Sequence, residues 1–203
     1  MSEKKIATRE AYGEALLEAG KKNPQIVVLD ADLSKSTKTS IFAEAFPERF
    51  FNLGISEQDL VGTAAGLAAA GKIPFASTFA IFAAGRAFEQ IRNSVAYSKL
   101  KVVVAASHAG ITVGEDGGSH QAIEDISLMR SLPNMTVIVP ADATETAKAV
   151  EAIVDYPGPV YLRLGRLGVP VLFPADYQFT IGKAALLKNG GDATIIATGI
   201  MVT

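Results

Sequence analysis

Apolar and polar positions alternate between two patterns along the chain. Residues 8–22 (TREAYGEALLEAGKK) place Tyr12, Ala15, Leu16 and Ala19 at helical spacing behind a Thr8 cap, and Asn23-Pro24 stops the helix. IVVLDA (26–31) then runs apolar without alternation, the pattern of a strand buried in a parallel sheet. A polar loop, DLSKSTKTS, leads to a short helix near 40–46, and 50–53 reads as a second strand. Residues 57–70 predict a helix of small residues ending at Gly71, a C′ glycine. A third strand is expected at 73–77, a helix at 82–97 with Ala87, Ile91 and Val95 on one face, and a fourth strand at 101–107. A Gly-rich loop, 108–120, precedes a helix at 121–131, a strand at 136–139, a helix at 143–155 and a strand at 159–164.

Strands alternating with helices of this length predict an α/β fold, a parallel sheet with helices on both faces. Functional loops then gather at the carboxyl ends of the strands. Asp32, Ser36, Glu57, Phe79, His108 and Arg166 all follow strands in this reading. Beyond Gly165 the helical period disappears and Pro170 and Pro174 appear, so 167–181 reads as a linker after a first domain at 1–166. GKAALLKNGGDATIIATG (182–199) reads as two strands joined at Asn189-Gly190-Gly191. Two short strands cannot bury a core alone, so 182–203 is expected to open a second α/β domain, truncated here.

Composition narrows the picture. At 203 residues the chain fits about one and a half average domains. Its 49% hydrophobic and 20% charged residues predict a folded soluble body, not disorder. Without cysteine there is no disulfide scaffold, thiolate metal site or cysteine nucleophile, which fits a reducing compartment. A net charge of −2 advertises no nucleic-acid binding. The polar residues 1–5 lead into no apolar leader, and the apolar runs are too short and Gly-broken to cross a membrane.

Four constellations could carry chemistry. Glu57 opens a helix behind Ser56, and it reads either as a residue complementing the helix dipole or as a functional carboxylate. Phe79 and Phe82, three apart, form either core or an aromatic wall for a flat heterocycle. Both histidines, His108 and His120, lie in or beside the Gly-rich loop with Glu115 and Asp116, where imidazoles can bind or move protons. A structural loop with surface histidines is the other reading; a zinc site or a phosphate-binding loop is a weaker alternative, because a separation of twelve residues is no helical metal motif and no GxGxxG opens a helix after the first strand. Arg9, Ser36 and Arg166 would bind a phosphate only if the fold brings them together.

In this order the motifs IATREA, DADLSKST, FFNLGISEQDLVGTAAGLA, PFASTFAIF, SHAGITVGEDGGSHQAIEDI, PNMTVIVPAD and PVYLRLGR resemble the pyrimidine-binding domain of transketolase, as in the C-terminal subunit of a split transketolase. The resemblance implies a three-layer sandwich of the thiamine-diphosphate pyrimidine-binding type, and a cytoplasmic enzyme of the pentose phosphate pathway moving a two-carbon ketol unit between sugar phosphates. It implies that Glu57 bonds N1′ of the cofactor's aminopyrimidine and that Phe79 and Phe82 surround that ring. It places Arg9, Ser36, His108 and Arg166 at the sugar-phosphate end. Asp116 and His120 fall near the sugar hydroxyls and the reacting carbon, with His120 a candidate proton shuttle. Two positions depart from the family pattern: Gly85 stands where many members carry a further aromatic, and Gly118 replaces a common proline. The pyrimidine pocket would then be completed differently and the loop would differ in stiffness. The family's GDG…N motif is absent from these residues. The resemblance therefore implies an N-terminal partner subunit that binds the diphosphate and Mg²⁺, in a homodimer or heterotetramer, with no activity in this chain alone. Related readings are a 1-deoxyxylulose-5-phosphate synthase, a 2-oxo-acid dehydrogenase β subunit, or a non-catalytic assembly module. The histidines and basic residues favour transketolase, and retention of Glu57, both phenylalanines and both histidines argues against a non-catalytic module.

Overall fold

A computed structural model describes residues 5–203. The expectation of no secretory leader falls mainly on 1–4, outside the described residues. In chain order the elements are β1 (Lys5–Ala7), α1 (Thr8–Lys22), β2 (Ile26–Asp30), α2 (Ser34–Thr37), α3 (Ser40–Ala45), β3 (Phe50–Asn52), α4 (Glu57–Ala69) and β4 (Ile73–Phe79). A helical stretch follows, made of a π-helical turn at Phe82–Arg86, the short α5 (Phe88–Gln90) and a second π-helical segment at Ile91–Tyr97. The chain continues through β5 (Val103–Ser107), α6 (Asp125–Arg130), β6 (Thr136–Ile138), α7 (Ala143–Asp155), β7 (Val160–Arg163) and β8 (Gly168–Pro170).

Six strands form a parallel sheet in the order β3-β2-β4-β5-β7-β6. Every residue of β2 and β5 is buried because the sheet is covered twice. Val27, Leu29, Ala76, Val104 and Ala106 face a core built with α4, the helical stretch 82–97 and Met129. Their neighbours Ile26, Val28, Phe75, Val103 and Ala105 face the opposite core, with Tyr12 and Leu16 of α1 and Ala149, Val150 and Ile153 of α7. This is the expected three-layer α/β sandwich.

Several local expectations hold and several are corrected. Gly71 takes φ +88 after α4, with Lys72 N–H donating to Leu67 O at 3.0 Å and Gly71 N–H to Ala68 O at 3.0 Å, a Schellman ending. Thr8 does not cap α1. Ala7 holds the cap position, and Thr8 Oγ1 accepts from Gly165 N–H at 2.8 Å, tying the start of α1 to the end of the sheet. The expected helix 121–131 shortens to α6 because His120 ends a 3₁₀ turn and Ala122 bridges back to Gly110.

The 167–181 linker is not free. β8 pairs antiparallel with β1, and Pro170 is tolerated because this two-stranded sheet leaves an edge. The buried Asp142 carboxylate accepts from Leu172 N–H at 2.6 Å and Phe173 N–H at 2.8 Å, while its other oxygen caps α7 through Glu145 N–H at 2.7 Å. The two strands expected at 182–199 do not form. Residues 183–190 and 193–198 carry no regular structure, and Ile195 and Ile196 are 91% and 92% exposed. A strand pair without a second layer has nothing to bury against.

Gly13 of α1 marks a close approach to backbone. A Cβ there would lie 2.7 Å from both the Lys38 carbonyl oxygen and the Lys38 Cβ, so α1 packs directly on the loop that carries Ser36. Gly13→Ala is expected to lower unfolding free energy by about 1–3 kcal/mol through overpacking. Gly66→Ala on α4, where a Cβ meets nothing within 4 Å, is expected to raise it by about 0.5–1 kcal/mol. Urea denaturation of both variants checks the pair.

Candidate functional site

The carboxyl ends of β2, β4, β5 and β7 converge on one crevice. Past β2, the buried Asp30 carboxylate accepts from Leu33 N–H at 2.5 Å, Thr37 Oγ1 at 2.7 Å and Thr39 Oγ1 at 2.8 Å. Burial pushes this carboxyl upward and the three donors pull it back. They hold the loop 31–39, which presents Lys35 and Ser36. Past β5, His108 takes a left-handed backbone, φ +57, which is uncommon outside glycine. That turn sets its imidazole against Phe79 at the end of β4, with ring centroids 3.8 Å apart. Phe82 lies nearly parallel to Phe79 at 5.8 Å, and His120 approaches both rings edge-on at 6.1 and 5.3 Å.

The Gly-rich loop is closed at its base. Gly110 and Ala122 exchange backbone bonds of 2.9 and 3.2 Å. Beneath them the buried Asp125 accepts from Tyr161 Oη at 2.9 Å and from Arg163 Nε at 2.8 Å, and Arg163 Nη2 also donates to Ala122 O at 3.3 Å. This network fixes both ends of the segment carrying Glu115, Asp116 and His120.

Arg9, Ser36, Phe79, His108, Asp116 and Arg166 line one cavity of about 350 Å³, joined there by Lys35, Lys38 and Glu115. Arg9 Nη1 donates to Ser36 O at 2.9 Å and lies 3.2 Å from His108 Nε2. Arg9 Nε is buried without a partner among the described residues, a donor that a polar ligand would satisfy. Arg166 donates to Val113 O and to Glu115 Oε1, the latter at 2.5 Å, and stands 3.5 Å from Asp116. That hydrogen bond draws the Glu115 carboxyl below its usual range. A larger groove of about 640 Å³ between α1 and α7 holds none of these side chains.

Glu57 begins α4 beyond β3 and is 3% exposed. Both of its oxygens lie 3.2 Å from Arg86 Nη1, and the Arg86 guanidinium stands 4.2 Å from the centre of the Phe82 ring. Ser56 holds the cap position of α4 without a side-chain bond. Glu57 therefore joins the aromatic group through Arg86, and the aromatic group joins the cavity through Phe79. Arg9, Ser36, Glu57, Phe79, Phe82, His108, Asp116, His120 and Arg166 thus form one contiguous group, whereas Asp32 lies apart, bonded to Asn52.

The transketolase pyrimidine-binding domain family matches residues 4–170. This chain belongs to the transketolase family. It is 56% identical over 193 residues to a putative transketolase C-terminal section of Methanocaldococcus jannaschii, covering 94% of this chain and 61% of that protein. It is 44% identical over 194 residues to a 6-deoxy-6-sulfo-D-fructose transketolase subunit of a Clostridium species, covering 96% of this chain and 60% of that protein. A split gene transketolase, solved as an inactive beta4 tetramer, superposes with a TM-score of 0.89 at 64% identity, covering 97% of this chain and 64% of that one. The chain thus spans about 60% of the length of the curated relatives named here.

Two departures from the transketolase pattern can be placed. A Cβ at Gly85 or Gly118 would meet nothing within 4 Å, so neither glycine is demanded by packing. Sequence reasoning missed Arg86, Lys35 and Lys38. Arg86 stands four residues from Phe82, a signal that was present, whereas the lysines look like ordinary loop charges until the loop is folded.

His108 is held neutral. Arg9 can only donate, so Nε2 accepts and the Nδ1 proton goes to Ser107 Oγ at 3.0 Å. Burial, with Arg9 second, pulls its pKa from 6.5 down to about 4. Between those values the unfolded chain takes up a proton that the folded chain refuses. The resulting stability is fully present above pH 6.5 and is lost as pH falls toward 4. His108→Asn is therefore expected to lose about 1–3 kcal/mol less stability than the parent across that window. Denaturation at stepped pH measures it, and equal slopes would rule out a neutral, buried His108.

Proposed function

We propose that this chain supplies the pyrimidine-binding half of a split transketolase, which moves a two-carbon ketol unit from a ketose phosphate to an aldose phosphate. The observation that carries the reading is Glu57: a carboxylate 3% exposed, linked through Arg86 to an aromatic pair that borders a cation-lined cavity. The donor set fits an aminopyrimidine, since a buried carboxylate beside flat rings can both bond and stack such a group. Thiamine diphosphate, when bound, supplies a thiazolium carbon that carries the two-carbon unit and stores its electron pair.

The chain's own residues then divide the work. Glu57 would bond N1′ of the aminopyrimidine and hold the ring in the tautomer whose exocyclic nitrogen accepts a proton. Phe79 and Phe82 would orient the ring and exclude water from it. Arg9, Ser36 and Arg166 would hold the sugar phosphate, with Arg166 exchanging the Glu115 carboxylate for phosphate oxygens. Neutral His108, locked between Arg9 and Ser107, would act as a hydrogen-bonding wall for the substrate. His120 has its Nδ1 3.0 Å from Ser119 Oγ, leaving Nε2 to pass a proton to or from a substrate hydroxyl, with Asp116 binding the neighbouring hydroxyl.

The diphosphate and Mg²⁺ would be held by a partner subunit bearing the GDG…N motif that these 203 residues lack. The names of two relatives, a transketolase C-terminal section and a split gene transketolase in an inactive tetramer, support that division. Residues 182–203 would then open the family's third domain.

Mixing the chain with a diphosphate-binding subunit, thiamine diphosphate and Mg²⁺ is expected to give two-carbon transfer from xylulose 5-phosphate to ribose 5-phosphate, and the chain alone none. A mixture that assembles but transfers nothing would end the reading. Glu57→Gln is expected to slow turnover by about 10²–10⁴-fold, with parallel loss of exchange at the cofactor's C2 proton. Arg166→Ala is expected to raise KM for phosphorylated sugars by about tenfold or more, and to leave that for unphosphorylated sugars nearly unchanged. Steady-state kinetics on matched substrate pairs checks the last.

A further inference from the structure

Arg86 makes two contacts at once. Its Nη1 bonds both oxygens of Glu57 at 3.2 Å, and its guanidinium lies over Phe82 at 4.2 Å. A flat, delocalised cation thus stacks on an aromatic ring while donating N–H to a buried carboxylate. Those are the two contacts that the proposed function asks of the aminopyrimidine. The two groups call on the same partners.

We propose that Arg86 is a determinant of cofactor affinity: it fills the aminopyrimidine's place on Glu57 and Phe82, and the cofactor must displace it. The inference rests on the role proposed above for Glu57. A carboxylate as buried as Glu57 needs a counter-charge or donor, and Arg86 is its one ion-pair partner among the described residues. The pair is asymmetric. The Arg86 side chain is 54% exposed and the Glu57 side chain 3%, so the arginine can turn into water while the carboxylate stays. Gly85, next to Arg86, leaves open space, with nothing within 4 Å of where its Cβ would stand. Phe82 and Arg86 begin and end one π-helical turn, closed by Ala87 N–H on Phe82 O at 3.3 Å. Such turns place side chains that an α-helix would set differently, and they recur at functional sites.

Displacement has a measurable signature. When part of the population has its site filled by Arg86, apparent affinity falls by the competent fraction. The test is a calorimetric titration of thiamine diphosphate with Mg²⁺ into the chain assembled with a diphosphate-binding subunit. Arg86→Ala is expected to bind about 3- to 10-fold tighter than the parent. Arg86→Lys should fall between them, because an ammonium cannot stack as a flat fork. In the parent complex, phenylglyoxal labelling of Arg86, mapped by peptide mass, is expected to rise on adding cofactor. Unchanged or weaker binding by Arg86→Ala, or protection of Arg86 by the cofactor, overturns the inference. If both readouts behave as expected and no ketol transfer is found, displacement of Arg86 stands and the assigned reaction falls.

Discussion

A strand buried on both faces has no place for a polar side chain except near its end. This constraint organises the whole molecule. Because β2, β4, β5 and β7 are parallel, their carboxyl ends lie along one edge of the sheet, and the polar groups that follow them gather there. Arg9, which enters from the start of α1, is drawn to the same edge because Thr8 is bonded to Gly165 just past β7. Residues far apart in sequence, from Arg9 to Arg166, thereby meet without any long excursion of the chain.

Three buried aspartates then tie down the segments around the sheet edge, two of them at the crevice. Asp30 gathers the loop after β2, Asp125 anchors the base of the Gly-rich loop through Arg163, and Asp142 pins the segment after β8 to the start of α7. Each carboxylate is essentially inaccessible and takes at least three donors, so its burial is compensated by hydrogen bonds. The side chains facing the cavity are under different demands. Arg9 has an orphan donor, and Arg166 is satisfied by an exposed carboxylate that a ligand could replace. The three aspartates are saturated, whereas Arg9 in the cavity keeps an unused donor.

The parallel sheet was legible because IVVLD and VVAAS are too apolar for a half-exposed strand, and the helices between them keep their period. Ser36, Glu57, Phe79, His108 and Arg166 stand out because they follow strands, and Phe82, Asp116 and His120 because of their spacing or the Gly-rich loop, while the roles proposed for all of them come from the resemblance to transketolase. Less legible were features that depend on distant partners. The Thr8 hydroxyl reads as a cap, but Gly165 N–H competes for it across the sheet. β1 and β8 are three residues each and carry no pattern of their own, so only their pairing makes them strands. Residues 182–199 show the converse: the strand pattern is present, and the layer that would make it a strand is not among the described residues. A single arginine on a helix reads as a surface charge, and the Glu57 contact of Arg86 joins residues 29 apart in sequence.

The central claim is that this chain holds one half of a shared cofactor site. Equilibrium dialysis of thiamine diphosphate with Mg²⁺ against this chain, a diphosphate-binding subunit, and their mixture tests it most directly. The account predicts weak retention by either component and strong, stoichiometric retention by the mixture, lost when Glu57 and Phe82 are both replaced by alanine. Tight retention by this chain alone, or retention by the mixture that is indifferent to those replacements, would contradict it.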